Sequence, residues 1–228
     1  MESEVDGILV AAHELKAPLA VLRQLAFALP EMDGLGEHVR SEMVSVSERA
    51  IKQVNDLAKM RRLEDGLFEM EPVAIREVCD AVHRELDYLY KYNRRNLAMD
   101  YRNKSRLVVA NRELLYSVIY NFALNAMHYS NDGTEAELAV RDCRGRVRVS
   151  VRDYGPMLPV DVWREMKRGC IEKPTSVAMR PGSSGLGLFI ASRFARYMGA
   201  AVGAVRHRDG TSFYVELPVS EQASLFGI

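Results

Sequence analysis

The chain has 228 residues, 48% of them hydrophobic, and 31 basic side chains balance 31 acidic ones. That apolar share supports a packed core and excludes wholesale disorder, while the zero net charge offers no electrostatic footprint for nucleic acid or an anionic membrane surface. Cys79, Cys143 and Cys170 are too few and too scattered for a disulfide framework or a cysteine metal site, and no apolar run approaches the roughly 18 residues of a membrane span.

Residues 1–68 are expected to be helical. Ile8, Ala12, Leu15, Leu19, Leu22, Ala26 and Leu29 recur in alternating steps of four and three, the seam of a bundle or coiled coil. "LPEMDGLGEH" breaks the pattern with Pro30, Gly34 and Gly36, a helix-to-helix turn. A second helix follows, with Val39, Met43, Val46, Ala50, Val54 and Leu57 on one face. A short link makes the two helices an antiparallel hairpin. Its leftover apolar surface predicts a homodimeric four-helix bundle; packing of the hairpin on its own second domain is the alternative.

The helical period stops at Asp65-Gly66, and "LFEMEPV" alternates like a strand. Beyond it, "IREVCDAVHRELDYLYKYN" reads as a helix, "LAMDYRN" and "RLVVA" as strands, and "NRELLYSVIYNFALNAMHYS" as a long helix. "EAELAVRDCRGRVRVSVRDYG" reads as a hairpin turning at Arg144-Gly145, "GLGLFIASRFARYMG" as a helix and "TSFYVELP" as a last strand. The fold class is therefore α+β: a helical hairpin over 1–68, an α/β sandwich with helices on one face of a mixed sheet over 69–220, and a tail over 221–228.

Four constellations stand out. In "AAHELKAPLAVLRQL", His13 lies one position off the seam beside Glu14, and Pro18 follows where a structural helix gains nothing from it. Glu14 can hydrogen-bond one imidazole nitrogen and leave the other nucleophilic, although a lone histidine can equally be an ordinary surface residue. In "NFALNAMHYS", Asn121 and Asn125 share a helix face with His128. Asparagines are poor helix-interior residues, so either they serve a polar ligand such as Mg²⁺ or they are simply exposed or capping. Asp153 in "VRDYGPMLP" ends a strand, where a buried carboxylate can accept from an exocyclic amine or merely form a turn. "GSSGLGLFI" puts Gly185 and Gly187 at a helix start, an anion-binding arrangement that matches neither a P-loop nor a dinucleotide fingerprint.

Taken in order, "HELKAP", "NFALNAMHYS", "DYG", "SSGLGL" and "GTSFYVELP" resemble the H, N, G1 and G2 boxes and closing strand of a two-component sensor histidine kinase. The resemblance covers nearly the whole chain, including the linker "RLEDGLFEMEPV". It implies a dimerisation and histidine-phosphotransfer hairpin followed by a Bergerat-type ATP-binding domain. It further implies that His13 accepts the γ-phosphoryl of ATP and passes it to an aspartate of a cognate response regulator, with Glu14 as general base. By the same analogy Asn125, supported by Asn121, would hold Mg²⁺. His128 would stand near the phosphates, Tyr129 would line the pocket, and Asp153 with Gly155 would read adenine. Gly185, Leu186 and Gly187 would give their backbone to the triphosphate. The implied location is the cytoplasm, either alone or as the cytosolic part of a longer membrane-bound sensor.

The sequence departs from the family pattern in four places. Ala17 stands where a polar residue would orient a hydrolytic water, which puts phosphatase activity in doubt. Met157 replaces the second glycine of Asp-x-Gly-x-Gly, and Ser183 stands where a glycine is usual. The paired phenylalanines between the G1 and G2 boxes are missing, with Trp163 and Met166 the nearest bulky residues. Two other readings share these motifs: an inactive pseudokinase scaffold, and an ATPase of the gyrase or chaperone type. The latter would need a glutamate four residues before Asn125, where this chain has Asn121.

Overall fold

The structure, a computed structural model, describes residues 21, 22, 24, 36–102, 107–131, 133–167, 171 and 186–220. Helix α1 (Gly36–Glu64) precedes strand β1 (Glu71–Ala74), helix α2 (Ile75–Tyr92) and strands β2 (Asn96–Tyr101) and β3 (Leu107–Ala110). Helix α3 (Arg112–Tyr129) leads to the hairpin of β4 (Glu135–Cys143) and β5 (Arg146–Asp153). Helices α4 (Val160–Lys167) and α5 (Leu186–Tyr197) and strands β6 (Ala201–His207) and β7 (Gly210–Pro218) complete it.

The main sheet has the order β2-β4-β5-β7-β6, with only β2 and β4 parallel. Its alternation follows from the sequence. In "RVRVSVRD" the valines Val147, Val149 and Val151 point inward and are buried, whereas the arginines point to the other face. Register places Val149 opposite both Val140 and Val215, and Val151 opposite both Leu138 and Phe213. These side chains form the sheet half of the core. Leu114, Leu115, Val118, Ile119 and Phe122 of α3, with Ile190 and Phe194 of α5, belong to the same core. Phe122 stacks on Phe213 at 5.9 Å between ring centroids, which joins the two layers.

On the outer face of the sheet, charge and aromatic pairs replace apolar packing. Arg148 donates to Glu216 and lies 4.0 Å over the Tyr214 ring. Strands β1 and β3 form a separate antiparallel pair, and Val108 of β3 makes an isolated antiparallel bridge to Val219, just past the end of β7.

α1 ends in a Schellman pair, with Leu67 N–H donating to Arg62 C=O at 3.2 Å and Gly66 N–H to Leu63 C=O at 3.1 Å. The chain then anchors itself: Phe68 is buried, and its carbonyl accepts from the Tyr197 hydroxyl at 3.0 Å. That anchoring is why the strand expected over "LFEMEPV" is confined to Glu71–Ala74: Phe68 serves the core and not a ladder.

Two elements were not expected from the sequence. α4 is short, holding itself by Val162 and Met166, with the Trp163 indole N–H donating to Ala204 C=O at 3.1 Å. β6 carries Gly203, and the Tyr214 ring lies across it so closely that a Cβ there would sit 2.3 Å from Oη. A neighbouring strand supplies the side chain that β6 lacks, so its own pattern is weak.

The seam expected on the second hairpin helix is found at Val39 and Val46, both buried. Toward the C-terminus it departs: Val54 is 47% exposed, while Asp56 is 1% exposed. From there α1 turns its side toward α3, and Met60 and Leu63 pack on the core of the following domain. The helix expected before it lies outside the described residues except at Val21, Leu22 and Gln24.

Candidate nucleotide site

The site begins with α3. Asn111 caps it, its Oδ1 accepting from Leu114 N–H at 3.1 Å, while its Nδ2 donates to Glu69 C=O. The helix is apolar on several sides because it is sandwiched between the sheet, α2 and α5. Asn121 and Asn125 interrupt that apolar surface one turn apart; Asn121 is buried and Asn125 half-buried. His128 and Tyr129 lie half-buried in the last turn.

The end of β5 is sewn to the end of α3. Asn131 N–H donates to Tyr154 C=O at 3.1 Å, and Tyr154 N–H to Ser130 Oγ at 3.4 Å. The approach is close enough that a Cβ on Gly155 would lie 1.7 Å from Tyr129 O, so only glycine fits. This brings Asp153 to the same corner as the asparagine helix.

Asp153 is fully buried. Its Oδ1 accepts from Thr211 N–H at 3.0 Å and Gly155 N–H at 3.3 Å. Thr211 in turn accepts from Leu158 N–H at 3.1 Å through Oγ1. Gly210 carries φ +151°, and a Cβ there would lie 2.0 Å from Asp153 O. Tyr90 donates to Ala123 C=O at 2.6 Å beneath this corner, and burial pushes its phenol well above the usual range. The carboxylate is thus held rigidly by backbone amides from two segments.

α5 starts at Leu186, which is buried; the ideal Cβ of Gly187 would come 3.4 Å from Asn121 Oδ1. The beginning of α5 therefore lies directly beside the asparagine face. Asn121 Nδ2 donates to Asp56 Oδ2 of α1 at 3.2 Å.

The structure thus brings together Asn121, Asn125, Leu186 and Gly187 on one side, and His128, Tyr129, Asp153 and Gly155 at the adjoining corner. His13, Glu14 and Gly185 lie outside the described residues, as do Ala17, Pro18 and Ser183. Sequence reasoning missed Thr211, Gly210 and Ser130. Thr211 had a signal: it falls on the inward face shared by Phe213, Val215 and Leu217, where a polar residue needs a reason. Asp56 had none, because its burial depends on where α1 docks. The donor set suits a purine nucleotide: a fixed buried carboxylate for an amine, and amide oxygens for a hard cation.

A family model for the histidine kinase-, DNA gyrase B- and HSP90-like ATPase matches residues 110–221, a span from the start of α3 to beyond β7. The probable sensor histidine kinase TcrY of Mycobacterium tuberculosis is 26% identical over 218 residues, 92% of this chain and 44% of that protein. Residues 110–221 carry an ATPase domain of this type, and over most of its length the chain is similar to sensor histidine kinases. The fold agrees: Acinetobacter baumannii histidine kinase AdeS superposes with TM-score 0.64 at 16% identity, covering 92% of this chain and 98% of that one. Histidine kinase ThkA, solved with response regulator protein TrrA, gives TM-score 0.62 at 16% identity, covering 92% and 60% of the two chains. The chain thus spans less than half of the curated kinase TcrY. Among the described residues, no helix is long and apolar enough to cross a membrane.

Proposed function

We propose that this chain is the catalytic core of a protein-histidine kinase, with residues 1–68 as phosphotransfer and dimerisation hairpin, 69–220 as ATP-binding domain and 221–228 as a tail. Bound Mg-ATP supplies the phosphoryl group. Asp153 accepts from the adenine amine, and Gly155 leaves room for the base beside Tyr129. Asn125, assisted by Asn121, holds Mg²⁺ through its amide oxygen, and His128 faces the phosphates. Gly185, Leu186 and Gly187 offer backbone N–H groups at the start of α5, where the helix dipole favours anions. His13 attacks the γ-phosphorus through one ring nitrogen, the bond from that phosphorus to the β–γ bridging oxygen breaks and ADP leaves, and the other ring nitrogen is oriented by Glu14, which takes its proton. The phosphoryl group then passes to a response-regulator aspartate. The hairpin pairs with a second copy as a homodimer.

The observation that carries this reading is the Asp153 corner: a fully buried carboxylate fixed by two backbone amides next to an asparagine face and the start of a glycine-led helix. Asn121 also supports kinase over hydrolase, since an amide cannot take a proton from water as a glutamate can. The test is incubation with γ-labelled ATP and Mg²⁺. An acid-labile, base-stable label marks a phosphoramidate on histidine. A label with the opposite stability, or none, refutes the reading.

A further inference from the structure

A cavity of about 420 Å³ opens where β1, α2 and the first turn of α3 meet. That size falls within the range of small-molecule sites. The cavity is distinct from the nucleotide corner: Arg112 at its edge is about 20 Å from Asn125 along α3, at a rise of about 1.5 Å per residue.

The wall is mostly apolar. Val78 and Ala81 share one face of α2, and Tyr116 of α3 completes the lining. The Tyr116 hydroxyl donates to Glu85 of α2. Burial, with that hydrogen bond, pushes the phenol well above its usual range, so this wall is uncharged near neutral pH.

The rim is charged, and most of its groups already have partners within the protein. Arg112 donates to Glu77 at 2.9 Å, and Glu113 lies 3.5 Å from both Lys59 and Arg62. Asn111 accepts from Leu114 N–H at 3.1 Å and donates to Glu69 C=O at 3.0 Å. The start of α3 is therefore capped, with Glu113 in its first turn, and the helix end offers nothing to an outside anion. Glu71 differs. It is exposed at the first position of β1, and among the described residues its carboxylate has no hydrogen-bonded or ionic partner.

An apolar wall with one unmatched carboxylate at its mouth is complementary to a cation that carries an apolar body. A bare metal ion gains nothing from the wall and needs several oxygen ligands where Glu71 supplies one group. An anion would meet Glu71 and Glu113 at the rim. We propose that this cavity is a second ligand site, separate from the nucleotide, for a small organic amine or guanidine. The body lies against Val78, Ala81 and Tyr116, and the cationic head pairs with Glu71.

The experiment titrates the isotope-labelled full chain with phenethylammonium and reads the amide shifts of the cavity residues. Two comparison probes separate the parts of the ligand: phenylpropionate keeps the ring and reverses the head, while ethylammonium keeps the head and lacks the ring. Phenethylammonium should give saturable shifts at Glu71, Val78, Ala81 and Tyr116, and the other two should not. Glu71→Gln should weaken phenethylammonium roughly 2- to 5-fold, the range of one exposed ion pair. Ala81→Phe fills the cavity from a half-buried helix position and should abolish saturation. The titrations of the unmodified chain decide the matter even where Ala81→Phe fails to fold. Equal saturation by either comparison probe, or unchanged affinity in Glu71→Gln, overturns the assigned ligand class. Shifts confined to the Asp153 corner, or no saturable shift at the cavity residues, overturn the site.

Discussion

Asp153 and Thr211 face each other across the β5–β7 ladder, and the backbone N–H of Thr211 holds Asp153 Oδ1 at 3.0 Å. The donor is main chain, so it separates two roles by mutation. Thr211→Val keeps the amide and loses only Oγ1, leaving Leu158 N–H buried without its acceptor. Stability should fall by about 1–3 kcal/mol in urea unfolding while ATP affinity changes little. Asp153→Ala should lower ATP affinity roughly 5- to 150-fold, the equivalent of about 1–3 kcal/mol for an unpaired amine. Calorimetry giving the same affinity for unmodified protein and Asp153→Ala removes Asp153 from the site.

Asn125→Ala should weaken ATP binding more with Mg²⁺ than with EDTA, because the amide oxygen is assigned to the cation. The measurement is the ratio of the two affinities. An equal loss in both conditions would place Asn125 on the nucleotide instead.

Gly155→Ala should open the seam between β5 and α3, since its Cβ would lie 1.7 Å from Tyr129 O. Overpacking of this kind costs about 1–3 kcal/mol. Both the unfolding midpoint and ATP affinity should drop, because the same shift displaces Asp153. A wild-type midpoint would show that the loop moves aside without strain.

His13→Gln should abolish acid-labile labelling by ATP while nucleotide affinity stays as it was. Labelling that survives this change assigns the acceptor to another residue.

The β6–β7 edge should be acid-sensitive. Burial, with the Arg152 guanidinium nearby, holds His207 below the ordinary histidine value of about 6.5, and its Nε2 lies 2.8 Å from Ser212 Oγ. A histidine with a depressed folded pKa is charged more readily in the unfolded chain, so stability is intact above about pH 6.5 and declines as pH falls below it. His207→Gln should flatten the slope of unfolding stability between roughly pH 7 and 5.5. An unchanged slope in that variant assigns the acid response elsewhere.

The sequence by itself determined most of the fold and the order of the site. Alternation in "RVRVSVRD" and "TSFYVELP" set which faces of β5 and β7 are buried, because side-chain direction in a strand has a period of two. The spacing of Asn121 and Asn125 placed them on one face of α3, because four residues make about one helical turn. What only the tertiary structure decided are contacts between segments far apart in the chain. The Thr211 amide reaches Asp153 because β7 pairs with β5, 58 residues away in sequence. α4 and β6 exist because neighbours complete them, Ala204 accepting from Trp163 and Tyr214 covering Gly203. Asp56 shows this most directly. Helical period put Val54 inward, yet Val54 is exposed and Asp56 is buried against Asn121. Local periodicity records that a helix has a buried face, but which partner covers it, and whether that partner offers apolar atoms or a buried amide, is settled only when α1 meets α3.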